Sequence, residues 1–287
     1  MFLNRVMASW TFALLTIGGL AISSPVGANG LAVVVCAPGY PGSTAEAQPA
    51  MDGLAAAITA AAGWDTAAVR AVYFETEEGG VASLQSPDVA LMLVTLPFFL
   101  EHRTELDLRP QLMAVPSGRE PLEPWSLVAG AGSVKQPADL EGFELFSLAG
   151  HSPRFVKGPA LGDWGEVPES VTITFSGAVL SGLRRAAKGE NVALLLDAAQ
   201  TDALERLPFS DQLEVVRSSQ MLPVSIVCSV GDRVAPDRLA EILAVLEGLD
   251  DSPAAAEALA GVRLERFVPV DPPVVERAEK AFSGARE

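Results

Sequence analysis

Histidine and cysteine are both scarce in this sequence. The 287 residues include two histidines, His102 and His151, and two cysteines, Cys36 and Cys228. No CxxC pair, HExxH motif or cluster of His, Cys and Asp appears, so we expect no metal site and no cofactor. Both cysteines lie in apolar runs, VVVCAP and SIVCSV, which favours small core residues, although export would permit a disulfide between them.

Basic residues are also few. The chain has 20 Lys and Arg against 36 Asp and Glu, which gives a formal net charge of −16. Such an excess of negative charge disfavours nucleic acid and anionic membrane surfaces as partners. An acidic exterior commonly serves solubility, so it still permits an anionic ligand that is held by backbone N–H groups.

The first 28 residues have the three parts of a secretory signal. Arg5 supplies a positive charge, Val6 to Ile22 form an apolar stretch, and Val26-Gly27-Ala28 end in small residues. Polar residues and glycines interrupt the apolar stretch and no stop-transfer charge cluster follows it, which disfavours the alternative of an uncleaved membrane anchor. No cysteine at the cleavage point could take a lipid. We therefore expect a soluble protein of the periplasm that begins at Asn29.

Strand and helix patterns alternate through the rest of the chain, which predicts an α/β protein with parallel sheets covered by helices on both faces. A stretch rich in proline and charge, MAVPSGREPLEPW at residues 113–125, divides two such halves and indicates a crossing between lobes. The predicted strands are 31–36, 67–74, 89–95, 126–129, 143–148, 171–175, 192–196, 213–217 and 224–230, and the predicted helices are 45–62, 177–188, 200–207 and 236–249, followed by a polar, Ala-rich tail.

The segment Pro137 to Val156 carries the clearest local signal. Its strand at 143–148 is followed by Ser152 and Pro153, a typical helix opening with an N-cap hydroxyl and a φ-locked first residue. Two readings stay open: Ser152 only caps the helix, or the cap also binds an anionic or polar ligand. A serine esterase-like enzyme is disfavoured, because a nucleophile elbow needs Gly where Arg154 stands and no histidine follows Ser152.

The order of several motifs resembles the type 2 periplasmic solute-binding proteins, in particular the phosphate, phosphite and phosphonate branch. These motifs are a ligand-facing strand, WSLVAG; a turn with Ser133 and residues 137–142; a second-lobe helix and strand, GAVLSGLRRAAKGENVALLLDAAQ; and a return segment, SSQMLPVSIVCSVGDRVAPDRLAEILAVL. The resemblance spans about residues 31–270. It implies a two-lobe protein that closes on a small solute, has no catalytic activity, and serves the membrane permease of an ABC transporter as a monomer.

This resemblance also implies the domain division and the ligand contacts. Each lobe would be a mostly parallel sheet flanked by helices, with two crossover strands at the hinge. Lobe 1 would comprise 29–118 plus 231–287, and lobe 2 would comprise 119–230. The implied ligand contacts are Tyr40, Thr95 with Phe98 or Phe99, His151, Ser152, the backbone N–H of Arg154, and Asp197.

The chain departs from the branch where an oxyanion would bind. Residues 149–153 read Ala-Gly-His-Ser-Pro in place of a Ser-Thr-Ser-Gly run, and Asn191 stands where an acidic residue is usual. Tyr40 could simply rigidify its turn, and Asp197 could cap the next helix. Next to a helix N-terminus, His151 is expected to be neutral. The alternative function is therefore a two-lobe sensor or interaction module that has lost ligand binding.

Overall fold

A computed structural model describes residues 30–285, so the predicted signal segment 1–28 lies outside the described residues. Within residues 30–285, two sheets form two lobes. The first lobe contains a six-stranded sheet with the order β13-β4-β12-β3-β1-β2. Its strands, numbered along the chain, are β1 (Leu31–Cys36), β2 (Val69–Phe74), β3 (Val89–Thr95), β4 (Leu108–Pro116), β12 (Ser225–Val230) and β13 (Leu264–Pro269).

The second lobe contains a five-stranded sheet with the order β10-β6-β9-β7-β8. A two-stranded ribbon of β5 and β11 joins the lobes, and it corresponds to the two predicted crossings. The strands of the second sheet and the ribbon are β5 (Leu122–Glu123), β6 (Ser126–Gly130), β7 (Glu144–Ser147), β8 (Thr172–Phe175), β9 (Val192–Leu196), β10 (Leu213–Ser218) and β11 (Leu222–Pro223).

Helices cover the faces of both sheets. They are α1 (Thr44–Ala62), α2 (Glu77–Ser83), α3 (Leu96–His102), α4 (Pro153–Phe155), α5 (Val179–Ala187), α6 (Ala198–Asp202), α7 (Pro236–Glu247), α8 (Pro253–Gly261) and α9 (Pro272–Gly284). Among residues 30–285, no helix combines the length and the apolar character needed to cross a membrane.

Local sequence explains the best-defined helix, α1. The Ser43 hydroxyl accepts a hydrogen bond from the Glu46 backbone N–H, and the Glu46 carboxylate accepts one from the Ser43 backbone N–H. Gly63 ends the helix in the left-handed conformation at φ 66°. A capping box and a C-terminal glycine satisfy backbone groups that the helix itself leaves unpaired. The buried face of α1 packs on the same side of the first sheet as α7 and α8.

Each sheet is mixed and not mostly parallel as predicted, because only four of the nine strand pairings in the two sheets are parallel. β1 is parallel to β2 and β3, and β7 is parallel to β8 and β9. The remaining pairings are antiparallel, because β4, β6, β12 and β13 adjoin the crossings between lobes or return from them. The β-loop-α alternation predicts only the parallel pairings.

Three larger features differ from the sequence prediction, besides shifts at the ends of several strands and helices. β12 hydrogen-bonds to β3 and β4 of the first sheet, so residues 225–230 pair with the first sheet and not with the second. Residues 113–116, predicted as crossing, complete β4. The predicted polar tail contains α8, β13 and α9, of which β13 pairs with β4 at the edge of the first sheet.

The C-terminal helix α9 reaches the second lobe. The guanidinium of Arg154 lies 4.2 Å from the centre of the Phe282 ring, and a Cβ on Gly158 would lie 2.5 Å from the carbonyl oxygen of Ala281. One hydrophobic core runs between the two sheets, with Met92 and Val94 of the first and Leu145 and Leu195 of the second. The lobes are therefore in direct contact.

Candidate functional site

Two residues predicted to contact a ligand from opposite lobes touch each other. Tyr40, in the loop after β1, donates a hydrogen bond of 3.0 Å from its hydroxyl to Oδ2 of Asp197 at the end of β9. The other carboxylate oxygen of Asp197 accepts the Gln200 backbone N–H at 2.7 Å, so Asp197 also caps α6. Burial, and then the Asp197 carboxylate, raise the pKa of the Tyr40 hydroxyl well above its usual range.

Glu123 lies beside this pair on the crossing strand β5. Burial raises the pKa of the Glu123 carboxyl to about 7, the negative charge of Asp197 adds to the rise, and Arg119 opposes it from 3.9 Å. No sequence pattern marks Glu123 as a site residue, because it stands among prolines in a stretch that predicts only a crossing between lobes. Tyr40, Glu123 and Asp197 form one end of what we term the interlobe seam.

A second contact between the lobes forms the other end of the seam. Ser152, which is fully buried, donates a hydrogen bond of 2.6 Å from its hydroxyl to Glu101 on α3. The predicted N-cap role of Ser152 is wrong, because its side chain accepts no backbone N–H. Its carbonyl accepts the Phe155 and Val156 N–H groups instead, and α4 continues directly as a π-helical turn over Val156–Ala160.

The ring of His151 lies next to this contact. Its Nδ1 is 3.0 Å from the Leu148 carbonyl, to which it donates, and its edge meets the Phe175 ring at 5.5 Å between centroids. Burial lowers the pKa of His151, and the nearby Glu77 carboxylate only partly opposes that shift. The ring is therefore neutral at pH 7, which leaves Nε2 as a buried acceptor without a partner in the described residues.

Thr95 ends β3 and precedes α3. Its side chain is 8% exposed, and its hydroxyl oxygen is buried without a hydrogen-bond partner in the described residues. The hydroxyl does not cap α3. A buried hydroxyl of this kind costs free energy in the folded protein unless something else pairs with it.

Two predicted contacts face elsewhere. Phe98 and Phe99 are fully buried in the core between the sheets, where Phe98 packs on the His102 ring and Phe99 on the Arg103 guanidinium. The guanidinium of Arg154 also turns away from the seam and stacks on Phe282 of α9, whereas the predicted ligand contact, the backbone N–H of Arg154, stays a prediction. Proximity to a strand end predicted Phe98 and Phe99 as contacts, but it could not reveal that both rings pack in the core between the sheets.

The charge of the seam is negative. The nearest cation to Glu123, Arg119, also binds Asp202. The side chains that meet at the seam are Tyr40, Glu101, Glu123, His151, Ser152 and Asp197. Cys36 and Cys228 are buried and form no disulfide with each other. Within residues 30–285, no three His, Cys, Asp or Glu side chains are placed to hold a metal ion.

Apolar groups also close the seam. A Cβ on Gly39 would lie 2.8 Å from the side chains of both Leu148 and Phe175, which belong to the second lobe. Gly39 adopts φ 78°, a left-handed conformation that suits glycine. The loop after β1 thus passes close against the second lobe beside the Tyr40 hydroxyl.

Comparison with known proteins gives a likeness of fold. No family model and no curated protein sequence matches the chain. The solved structures of similar fold include XAC2383 from Xanthomonas citri bound to chloride ion, with a TM-score of 0.69, 14% identity, and 89% of this chain and 97% of that one covered. They also include a binding protein component of an ABC phosphonate transporter from Pseudomonas aeruginosa, with a TM-score of 0.60, 12% identity and coverages of 86% and 83%.

A third similar structure is the periplasmic aliphatic sulphonate binding protein SsuA from Escherichia coli. Its TM-score is 0.58, its identity is 13%, and the alignment covers 90% of this chain and 87% of that one. At these identities the likeness concerns the fold. The predicted fold class is confirmed: the chain has the two-lobe fold of the type 2 periplasmic solute-binding proteins.

Proposed function

We propose that this protein is an exported solute-binding protein that captures a small polar ligand at the interlobe seam. In this proposal it delivers the ligand to the permease of an ABC transporter and acts as a monomer without catalytic activity. The two-lobe fold, which the chain has in common with binding components of transporters, supports the proposal. The predicted signal at 1–28 and the net charge of −16 agree with an exported, freely diffusing protein.

One observation carries the proposal. Two of the polar atoms that are buried without a partner in the described residues, Thr95 Oγ1 and His151 Nε2, belong to residues predicted to contact a ligand. Native proteins pair almost all such atoms, and an unpaired one calls for a functional or structural explanation. A ligand that enters between the lobes would supply the missing partners.

The seam favours a ligand that donates hydrogen bonds. His151 Nε2 accepts, and the carboxylates of Glu101 and Asp197 accept, whereas Arg154 is held away by Phe282. A phosphate or phosphonate, as in the branch that the sequence resembles, would be repelled by these carboxylates, and the arginine beside the seam, Arg119, is already shared between Glu123 and Asp202. We therefore propose an uncharged or cationic polar ligand.

Purification without refolding, followed by native mass spectrometry, would identify a retained ligand. Thermal melts against sugars, amino acids, amines, phosphate and phosphonates would then rank the classes. A true ligand should raise the free energy of unfolding by about 2.7 kcal/mol at a hundredfold excess over Kd. Stabilisation by phosphonates alone would contradict the proposed ligand class but leave solute binding intact.

Replacement of Thr95 by Val separates binding from stability. If Thr95 serves a ligand, Thr95→Val should leave the melting temperature unchanged or higher, because an unpaired hydroxyl is removed, yet weaken ligand binding by roughly 5- to 150-fold. The control is Thr59→Val on α1, whose buried hydroxyl donates to the Ala55 carbonyl. It should lower stability and leave the affinity unchanged. An unchanged affinity in Thr95→Val would remove Thr95 from the site.

A second function is favoured by the contacts across the seam. The bonds from Tyr40 to Asp197 and from Ser152 to Glu101 already pair groups that would otherwise meet a ligand. This pairing agrees with a two-lobe sensor or interaction module that has lost ligand binding. If no compound in the panel alters the melting temperature, this second function becomes the better account.

A further inference from the structure

A groove lies apart from the seam, against the C-terminal helix. It has a volume of about 660 Å³ and is bounded by α9, by the chain from Lys157 to Glu169, and by Gln220 to Leu222 next to the crossing ribbon. None of the seam residues lines it. Its volume falls in the range of about 300–1,000 Å³ that small-molecule sites occupy.

The floor of the groove is apolar. Val167, Leu222, Val274 and Ala278 line it and are buried. Met221 also lines the groove and is 49% exposed, which places it among the four large apolar side chains that stand out into solvent in the described residues. Methionine is flexible and adapts to irregular apolar ligands, so this exposure at a groove favours contact with an apolar body.

Unpaired cations line the same groove. Three cations of the lining take part in no ion pair within residues 30–285: Lys157, Arg277 and Lys280. Most arginines elsewhere in that part of the chain are paired with carboxylates. By contrast, the whole protein has a net charge of −16.

The acidic residues of the groove do not cancel this charge. Asp163 is neutralised by Arg217 at 3.1 Å, which leaves Glu166 and Glu169 as the other carboxylates at the lining. The lining itself has three cations and three carboxylates, and with Arg217 included the groove has four cations against three carboxylates, a small excess of positive charge. Because Arg277 and Lys280 are three residues apart on α9, they lie on the same face of that helix.

We propose that this groove binds an amphiphilic anion with a single acidic head, such as a carboxylate on an alkyl chain. The alkyl chain lies on the floor formed by Val167, Leu222 and Val274, under Met221. The acidic head pairs with Arg277 and Lys280. Burial of an alkyl chain contributes about 0.8 kcal/mol for each CH₂ group, and the head group adds selectivity for anions.

Isothermal titration of the full chain with dodecanoate, below its micelle concentration, tests the proposal. Dodecanoate should bind at one site, dodecyltrimethylammonium should bind at least tenfold more weakly, and added salt should weaken the binding of dodecanoate. The double variant Arg277→Glu, Lys280→Glu should lose at least tenfold in dodecanoate affinity. The matched control is Arg184→Glu, Lys188→Glu on and just after α5, two exposed cations without ion pairs in the described residues.

The control variant should bind dodecanoate as the parent protein does, and both variants should melt at similar temperatures. Met221→Ala, a change at an exposed side chain, should weaken dodecanoate without altering the preference for an anion. Equal binding of the two amphiphiles, or equal affinities in the two charge variants, would overturn the proposal. Binding of the protein to vesicles of anionic phospholipid, with no binding of free dodecanoate, would also overturn the proposal. The groove would then bind a membrane surface and not a single free amphiphile.

Discussion

At the scale of single residues, Glu123 makes stability depend on pH. The raised pKa of about 7, against an ordinary 4.5, means that the folded protein holds this proton where the unfolded chain has lost it. Both states are protonated below about pH 4.5, so the penalty is absent there. As pH rises from about 4.5 to 7, the unfolded chain ionises first and the free energy of unfolding falls; above that window the loss is constant.

Replacement by glutamine should remove this dependence. Glu123→Gln should be more stable than the parent protein by about 2 kcal/mol at pH 8 and nearly equal to it at pH 4.5, as measured by urea denaturation at both values. Glu120→Gln changes an exposed neighbour in the same crossing and should give parent-like curves. A Glu123→Gln protein that lost stability at pH 8 would show that the ionised carboxylate is needed.

A residue of the seam could be predicted from the sequence only when it lies close to the end of a predicted strand. Tyr40 and Asp197 follow predicted strands directly, and the structure brings these two together. Glu101 and Glu123 could not be found in this way, because Glu101 meets Ser152 only across the lobes and Glu123 lies on the crossing strand β5. The stacking of the Arg154 guanidinium on Phe282 could not be predicted, because Phe282 belongs to a helix that the sequence pattern does not reveal.

At the scale of elements, the packing of α9 on the second lobe depends on Gly158. A Cβ at this position would lie 2.5 Å from the Ala281 carbonyl oxygen, a backbone atom that cannot move without the helix. Gly158→Ala should therefore lower the free energy of unfolding by about 1–3 kcal/mol through overpacking. Hydrogen exchange should show that protection is lost first in residues 272–284.

Gly53→Ala is the matched control for that change. Gly53 lies inside α1, and a Cβ there would have no atom within 4 Å, so the alanine should stabilise the protein by about 0.5–1 kcal/mol. Equal effects of the two substitutions would contradict the close approach of α9 to Gly158.

The strands with continuous apolar runs were predicted well. β1, β3 and β9 have the predicted bounds, since each is buried on both faces and bears an unbroken apolar sequence. β4 was missed because Pro110 and Pro116 interrupt its pattern, and β13 because its edge position leaves charged residues within it. Edge strands and prolines remove the very periodicity on which a prediction depends.

At the scale of the whole molecule, the two hydrogen bonds across the seam add to the apolar contacts that join the lobes. The double variant Tyr40→Phe, Ser152→Ala removes both donors and leaves Asp197 and Glu101 with fewer partners at a buried interface. Each loss should cost about 1–3 kcal/mol of lobe-to-lobe interaction, so the average conformation should open. Small-angle scattering without ligand should show a larger radius of gyration than that of the parent.

The control variant also removes one tyrosine hydroxyl and one serine hydroxyl, but from hydrogen bonds that lie within a single lobe. Tyr73 donates to carbonyls of its own lobe, and the Ser126 hydroxyl bonds Ser218 within the second sheet. Tyr73→Phe, Ser126→Ala should therefore keep the parent's radius of gyration even if it melts lower. Opening in both variants would mean that general destabilisation, and not the seam, sets the distance between lobes.

The position of β12 fixes the order in which the chain can acquire its structure. This strand separates β3 from β4, and both partners precede it by more than a hundred residues. A chain made from its N-terminus therefore exposes the edges of β3 and β4 throughout synthesis of the second lobe, whose five strands all lie between 126 and 218. Pairings between such distant segments form slowly, because the entropy cost of closing a long loop comes before any stabilising contact forms. The second lobe can thus mature first, and the first lobe, although it begins the chain, completes its sheet last.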